Sequence, residues 1–137
     1  MSSAVDRELT VAGIACRFPG ASNRHEFWAN LLAKTVSISA VPTDRWEAAE
    51  FVSAERANGK TVTCMAGWLP YIDRFDFAYF KMSKKEALEM DPQQRMSLEV
   101  ATEALVDSGI ELSELHGTRS GVFAGAGIAE FMGMSFR

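Results

Sequence analysis

Cysteine and histidine are scarce in this sequence, and it has no long apolar run. Two cysteines and two histidines are spread over 137 residues, without the spacing of a disulfide framework or a zinc site. No stretch of 18 apolar residues occurs, which excludes a transmembrane helix within the sequence. The polar first residues lack the apolar core of a signal peptide. We therefore expect a reduced, cytoplasmic protein without membrane association.

Positive charge is also in short supply. Fourteen Lys and Arg face eighteen Asp and Glu, for a net charge of −4. This balance has the wrong sign for a nucleic-acid binder, whose affinity comes from neutralised phosphates. What is present is ordinary globular material, 47% hydrophobic and 23% charged, in a length typical of one domain.

Capping signals predict three helices. Asn23 and Glu26 begin the first, which we expect over residues 24–34, and Ser83 with Glu86 forms a capping box for a short second helix. Asp91 then acts as the N-cap of a third helix, with a proline at its first position, that runs to about Ser108.

Two short apolar segments, Leu9–Cys16 and Ser120–Gly127, are predicted to be buried strands. Gly13 within the first indicates close approach of another backbone. Strand, helices and strand in this order predict an α/β fold.

Several apparent catalytic motifs have simpler structural interpretations. The run Gly59-Lys60-Thr61 resembles the end of a phosphate-binding loop, but Ala54 replaces the required first glycine, and a surface turn is the better interpretation. Cys16 and His25 suggest a nucleophile and its base, yet we expect a buried strand cysteine and a histidine in the first turn of a helix. His116 has no neighbours at metal-ligand spacing. We interpret the aromatic residues between 68 and 80 as core packing.

Taken in order, several segments resemble the beginning of a β-ketoacyl synthase domain from a modular polyketide synthase. Each segment is weak evidence alone, but the ordered set is specific and covers Leu9 to Gly127. The matching segments are Gly13–Gly20, Phe27-Trp28, Val41–Trp46, Gly67-Trp68-Leu69, Phe75-Asp76, Phe80, Ser83, Glu86-Ala87, Met90–Arg95, Leu98-Glu99, Glu103-Ala104-Leu105, Gly109-Ile110 and Arg119–Phe123.

The resemblance implies an incomplete thiolase-like fold, of which the whole is an α/β/α/β/α sandwich of two similar halves that dimerises. Residues 1–8 would be an N-terminal tail, and residues 9–137 a partial domain that stops before the nucleophile. Members of the family catalyse decarboxylative Claisen condensation. A cysteine accepts an acyl chain from the phosphopantetheine of an acyl carrier protein, and two histidines assist. No cofactor is expected to bind this chain directly.

The resemblance assigns no catalytic residue to these 137 residues. The nucleophile of the family lies in a run around Ala-Cys-Ser-Ser, after the strand that resembles Gly121–Gly125, and both histidines follow it. Cys16 matches a cysteine of the N-terminal strand instead. The sequence departs from the family at Lys81, where glycine is frequent, and at Lys84, where proline is frequent.

The most recognisable block contains consecutive residues to which we assign a structural or interface role. Arg95 would form an ion pair within the fold or across the interface of two subunits. The block consists of Asp91, Pro92, Gln93, Gln94 and Arg95.

Three hypotheses follow. The first is the N-terminal portion of a ketosynthase, inactive alone, whose partners are an acyl carrier protein and a second ketosynthase subunit. The alternative is a non-catalytic module that dimerises with or docks on a ketosynthase or carrier protein. The third is a degenerate pseudoenzyme.

Overall fold

The structure is a computed structural model that describes residues 9–127; the predicted tail and the residues after 127 lie outside this range. The described chain divides into two compact units, Cys16–Met82 and residues 9–15 with 83–127. No helix among the described residues has the length and apolar composition to cross a membrane. The elements are, in chain order, α1 (Arg24–Leu32), β1 (Ile38–Ala40), α2 (Ala48–Phe51), β2 (Met65–Gly67), α3 (Lys84–Glu89), α4 (Pro92–Ser108) and a 3-10 helix (Leu112–Leu115).

Within the unit Cys16–Met82, α1 begins where its capping signal predicts. The Asn23 side chain accepts hydrogen bonds from the backbone N–H groups of His25 and Glu26, both at 3.0 Å. This satisfies two of the donors that a helix leaves free at its start. The helix ends at Leu32, and Lys34, predicted to be its last residue, takes a positive φ of 55° beyond it.

Strands β1 and β2 form a two-stranded antiparallel ribbon in the same unit, with Ser39 opposite Ala66. The Trp68 indole Nε1 donates to the Ser39 carbonyl oxygen at 3.0 Å and fixes the chain where it leaves β2. Gly59 has a φ of +72°, with open space around it. The predicted turn is confirmed at Gly59, where only glycine adopts this conformation without steric cost, and Thr61 follows it in a bridge with Val52.

Aromatic side chains supply much of the packing of this unit. Trp46 lies edge-on to Phe51 and Trp68, with ring centroids 5.7 Å and 6.5 Å away. Phe75 stacks on Phe80 at 5.0 Å. Trp68, Phe75 and Phe80 of the predicted aromatic core are half-buried and pack in this way, with Trp46 added from outside the predicted set. Tyr71 and Tyr79, which the sequence also predicts to be core residues, are exposed instead.

In the other unit, α3 and α4 follow their capping signals. Ser83 and Glu86 form the predicted capping box. Helix α4 runs from Pro92 to Ser108 and ends at Gly109, whose φ of 72° is left-handed. Such a glycine is a frequent helix terminator because it lacks a Cβ that would clash.

Gly13 lies against the backbone of α4. A Cβ built on Gly13 would overlap the carbonyl oxygen of Ala104 and lie 2.7 Å from the backbone nitrogen of Ser108. The next residue holds this contact in place, since the Ile14 N–H donates to the Asp107 carboxylate at 3.0 Å. The predicted close approach of a second backbone is therefore confirmed, and that backbone belongs to a helix.

The prediction of two buried strands is wrong for the described chain. Residues 9–16 and 120–127 form no strand there, and the side chains of Leu9 and Phe123 are 96% and 99% exposed. Their apolar composition favours extended chain, but a strand also requires a hydrogen-bonded neighbour. The described residues supply none to either segment.

Candidate functional site

The junction of α3 and α4 is built around Asp91. Its side chain is 5% exposed, and its carboxylate accepts the backbone N–H of Gln93 at 2.7 Å. Its carbonyl oxygen accepts from the N–H of Gln94 at 2.9 Å, and Pro92 occupies the first helical position, where no N–H is needed. Asp91, Pro92 and Gln94 therefore start the helix, as the sequence predicts.

Arg95 adds a different feature to this junction. Its Nε atom is buried and has no hydrogen-bond partner among the described residues. A buried donor on a cation costs more free energy when unpaired than a neutral one. Among the described residues of the block, Arg95 is thus the one with a buried side-chain donor that makes no hydrogen bond.

Glu86, in the capping box that begins α3, has a pKa below its usual value. The backbone N–H of Ser83 donates to the Glu86 carboxylate at 2.8 Å. This hydrogen bond, and then the contribution of the Ser83 side chain, lower the pKa of Glu86 below its usual value, because both favour the charged carboxylate. Glu86 is exposed, and its hydrogen bond to the Ser83 N–H stabilises the first turn of α3.

The structure does not assemble a nucleophile and base from the cysteines and histidines. Cys16 and Cys64 are half-buried free thiols. His25 is exposed in the first turn of α1, and His116 is exposed directly after the 3-10 helix. Among the described residues, no three His, Cys, Asp or Glu side chains form a group that could hold a metal ion.

The unit Cys16–Met82 also contains a groove of about 490 Å³ beside the β1–β2 ribbon. Two arginines, Arg45 and Arg74, line it together with Trp68 and Tyr71. Arg45 donates through Nη2 to the Leu69 carbonyl oxygen at 2.7 Å. We call this groove, lined by Arg45, Trp68, Leu69, Tyr71 and Arg74 among others, the ribbon groove.

Sequence reasoning missed the ribbon groove because its aromatic residues were assigned to the core. Tyr71 is instead 64% exposed, and Arg45 reaches Leu69 across 24 positions of the chain. The alternation of arginine, aromatic residues and proline was the available signal. It does not reveal which side chains meet.

Comparison with known proteins decides the family. The profile of the family described as "Beta-ketoacyl synthase, N-terminal domain" matches residues 6–136, nearly the whole chain. The chain belongs to this family. The sequence resemblance is thereby confirmed, and the ketosynthase interpretation is supported over a separate docking module.

Curated relatives of this ketosynthase chain are polyketide synthases. It is 43% identical over 133 residues to one of the phenolphthiocerol/phthiocerol polyketide synthase subunits of Mycobacterium tuberculosis, covering 96% of this chain and 9% of that protein. It is 40% identical over 125 residues to polyketide synthase GfsE of Streptomyces halstedii, covering 90% of this chain and 3% of that protein. The chain thus spans less than a tenth of the length of these curated relatives.

Solved ketosynthase structures share the fold. An oxazolomycin ketosynthase domain from Streptomyces albus superposes with a TM-score of 0.73 at 34% identity, over 78% of this chain and 19% of that one. The ketosynthase of module 6 of the bacillaene synthase from Bacillus subtilis gives 0.67 at 32% identity, over 75% of this chain and 17% of that one. The chain therefore has part of a thiolase-like ketosynthase fold.

Proposed function

We propose that this chain supplies the N-terminal framework of a polyketide-type ketosynthase and does not itself carry the nucleophile. The observation that carries the proposal is the family match over residues 6–136, combined with two cysteines that both lie outside the nucleophile motif. The class reaction transfers an acyl chain from carrier-protein phosphopantetheine to a cysteine, then couples it to a malonyl-type unit. That chemistry needs an activated thiolate and oxyanion donors. In this proposal, residues of the ketosynthase outside these 137 supply the thiolate.

A domain exchange tests the framework role. In the oxazolomycin ketosynthase domain, the segment matched by this chain is replaced by residues 9–127, and acyl transfer from an acyl-pantetheine thioester is followed by intact mass. The exchanged domain is expected to form an acyl adduct on the cysteine of the host, as the unmodified host does. An insoluble domain, or a soluble one that is not acylated, contradicts the proposal.

We also propose that Arg95 pairs with a carboxylate supplied from outside the described residues, within the complete fold or from a second subunit. The buried, unpartnered Nε supports this, because arginine presents a fork of donors suited to carboxylates. The variant Arg95→Met should then lower the melting temperature of the exchanged domain far more than that of the 137-residue chain. Equal losses in both contexts would contradict a partner supplied by the rest of the domain or by a second subunit.

A further inference from the structure

The loop between α2 and β2 contains the pair Asn58-Gly59, and Asn58 is the one asparagine of the sequence that a glycine follows. Both residues are exposed. Gly59 has a φ of +72° and open space around it. The Lys60 N–H donates to the Ala57 carbonyl oxygen at 3.1 Å, so the pair occupies the two central positions of a turn.

Hydrogen bonds hold the base of this loop within the unit Cys16–Met82. The Thr61 N–H donates to the Phe51 carbonyl oxygen at 2.9 Å, and the Ser53 N–H donates to the Thr61 carbonyl oxygen at 2.8 Å. A chemical change at Asn58 therefore falls at the tip of a loop whose two ends stay joined. Exposed loop tips are the places where a fold tolerates such changes best.

An asparagine side chain can react with the backbone nitrogen of the residue that follows it. The nitrogen attacks the side-chain amide carbon and forms a succinimide ring, and the amide group leaves as ammonia. Water then opens the ring at either of its two carbonyl carbons, which gives aspartate or isoaspartate. Nothing is oxidised or reduced, and one water is consumed for each ammonia released. The attack is intramolecular, so its rate depends on how freely the two groups meet.

The local structure leaves both reacting groups of the pair accessible. Within residues 9–127, neither the Asn58 side chain nor the Gly59 N–H makes a hydrogen bond. Glycine has no side chain that would hinder the approach of the amide carbon, and its backbone reaches other conformations at low steric cost. Exposure gives water access to the ring once it has formed.

The two other asparagines of the sequence are held by hydrogen bonds. The Asn23 side chain accepts from the N–H groups of His25 and Glu26, both at 3.0 Å. Asn30 lies inside α1, and its Nδ2 donates to the Gly20 carbonyl oxygen at 2.8 Å. Each side chain must leave these bonds before it can react, and each precedes a residue with a large side chain. Both should therefore react more slowly than Asn58.

We propose that Asn58 is a site of spontaneous deamidation, at which the chain acquires a carboxylate as aspartate or isoaspartate. The conversion makes the net charge of −4 one unit more negative. It places the new carboxylate two residues before Lys60, whose ammonium donates to the Glu50 carbonyl oxygen. This modification goes beyond the framework role and does not depend on it.

Incubation of the 137-residue chain at mildly alkaline pH, followed by proteolysis before aspartate and mass spectrometry, tests the proposal. Cleavage before Asp44 and Asp73 releases residues 44–72, in which Asn58 is the only side-chain amide. The amide-to-acid mass increase should accumulate in this peptide. Aspartate at position 58 adds a cleavage site, whereas isoaspartate does not, so the two products are distinguished.

The preceding peptide is an internal control. Residues 6–43 contain Asn23 and Asn30 and no other side-chain amide. The mass increase should be at least about tenfold slower there than in residues 44–72, which corresponds to a barrier higher by roughly 1.4 kcal/mol. The proposal is wrong if the two peptides gain the mass at the same rate.

The variant Gly59→Ala tests the role of the glycine. Its added methyl group meets open space but hinders the attack, so conversion at Asn58 should slow by about tenfold. The matched control is Gly117→Ala, because Gly117 also has a positive φ, of 76°, and open space around it; this change should leave the rate at Asn58 unaltered. Conversion in Gly59→Ala as fast as in the unmodified chain would overturn the proposal. The comparison of the two peptides needs no variant, so it decides the matter even if Gly59→Ala does not fold.

Discussion

Replacing Lys81 by glycine should stabilise this chain. Lys81 has a φ of 55° at the end of a turn closed by two backbone hydrogen bonds, from its own N–H to Ala78 at 3.0 Å and from the Met82 N–H to Phe77 at 2.9 Å. A left-handed conformation costs a residue with a Cβ roughly 1–2 kcal/mol. The resemblance to ketosynthases places a glycine at this position, and the backbone explains why.

The expected gain is the strain removed less the greater conformational freedom of glycine in the unfolded chain. The second effect is about 0.4–1 kcal/mol, which leaves a net stabilisation of about 0.5–1 kcal/mol. For a chain of this size the melting temperature should rise by roughly 2–4 °C. Urea unfolding followed by circular dichroism measures the free energy directly.

The matched control is Lys85→Gly. Lys85 is exposed and lies inside α3, where glycine should cost about 1 kcal/mol because it loses more backbone freedom on folding. The same chemical change should therefore have opposite signs at the two positions. The reasoning is refuted if Lys81→Gly leaves stability unchanged or lowers it.

Three further predictions concern caps and close packing. Asp91→Ala should lower the free energy of unfolding by about 1–2 kcal/mol, and Asp91→Asn by much less, because asparagine still caps the helix; urea titrations of both variants compare them. Gly13→Ala should cost about 1–3 kcal/mol because the added methyl group overlaps α4, whereas Gly125→Ala, with open space around it, should be neutral; equal effects would contradict the contact. The lowered pKa of Glu86 contributes stability above its unfolded pKa that is lost as the pH falls through its folded pKa. Glu86→Gln should remove that part of the pH dependence, whereas Ser83→Ala should remove only the smaller, side-chain share because the backbone N–H still donates to Glu86; unfolding curves between about pH 2 and 7 measure both.

The helices of this chain could be predicted from sequence because their signals are local. Asn23, Ser83 and Asp91 each accept hydrogen bonds within three residues of their own position. Gly109 ends α4 through its own backbone conformation. Such interactions depend on adjacent residues only, so the sequence contains all the information they need.

The extended segments and the ribbon groove could not be predicted in the same way. Whether Leu9–Cys16 becomes a strand depends on a neighbour distant in the chain, and burial cannot be inferred from apolar composition alone. The groove depends on a hydrogen bond between Arg45 and Leu69 and on the backbone conformation of Tyr71. Neither has a signature in the local sequence.

Intact-mass spectrometry of the 137-residue chain after incubation with an acyl-pantetheine thioester tests the central claim most directly. The framework role predicts no stoichiometric acyl adduct, because Cys16 and Cys64 lie outside the nucleophile motif and are not joined with His25 or His116 in a catalytic set. The matched variants Cys16→Ser and Cys64→Ser should give the same spectrum as the unmodified chain. A stoichiometric adduct that disappears in either variant would contradict the claim and make that cysteine a nucleophile.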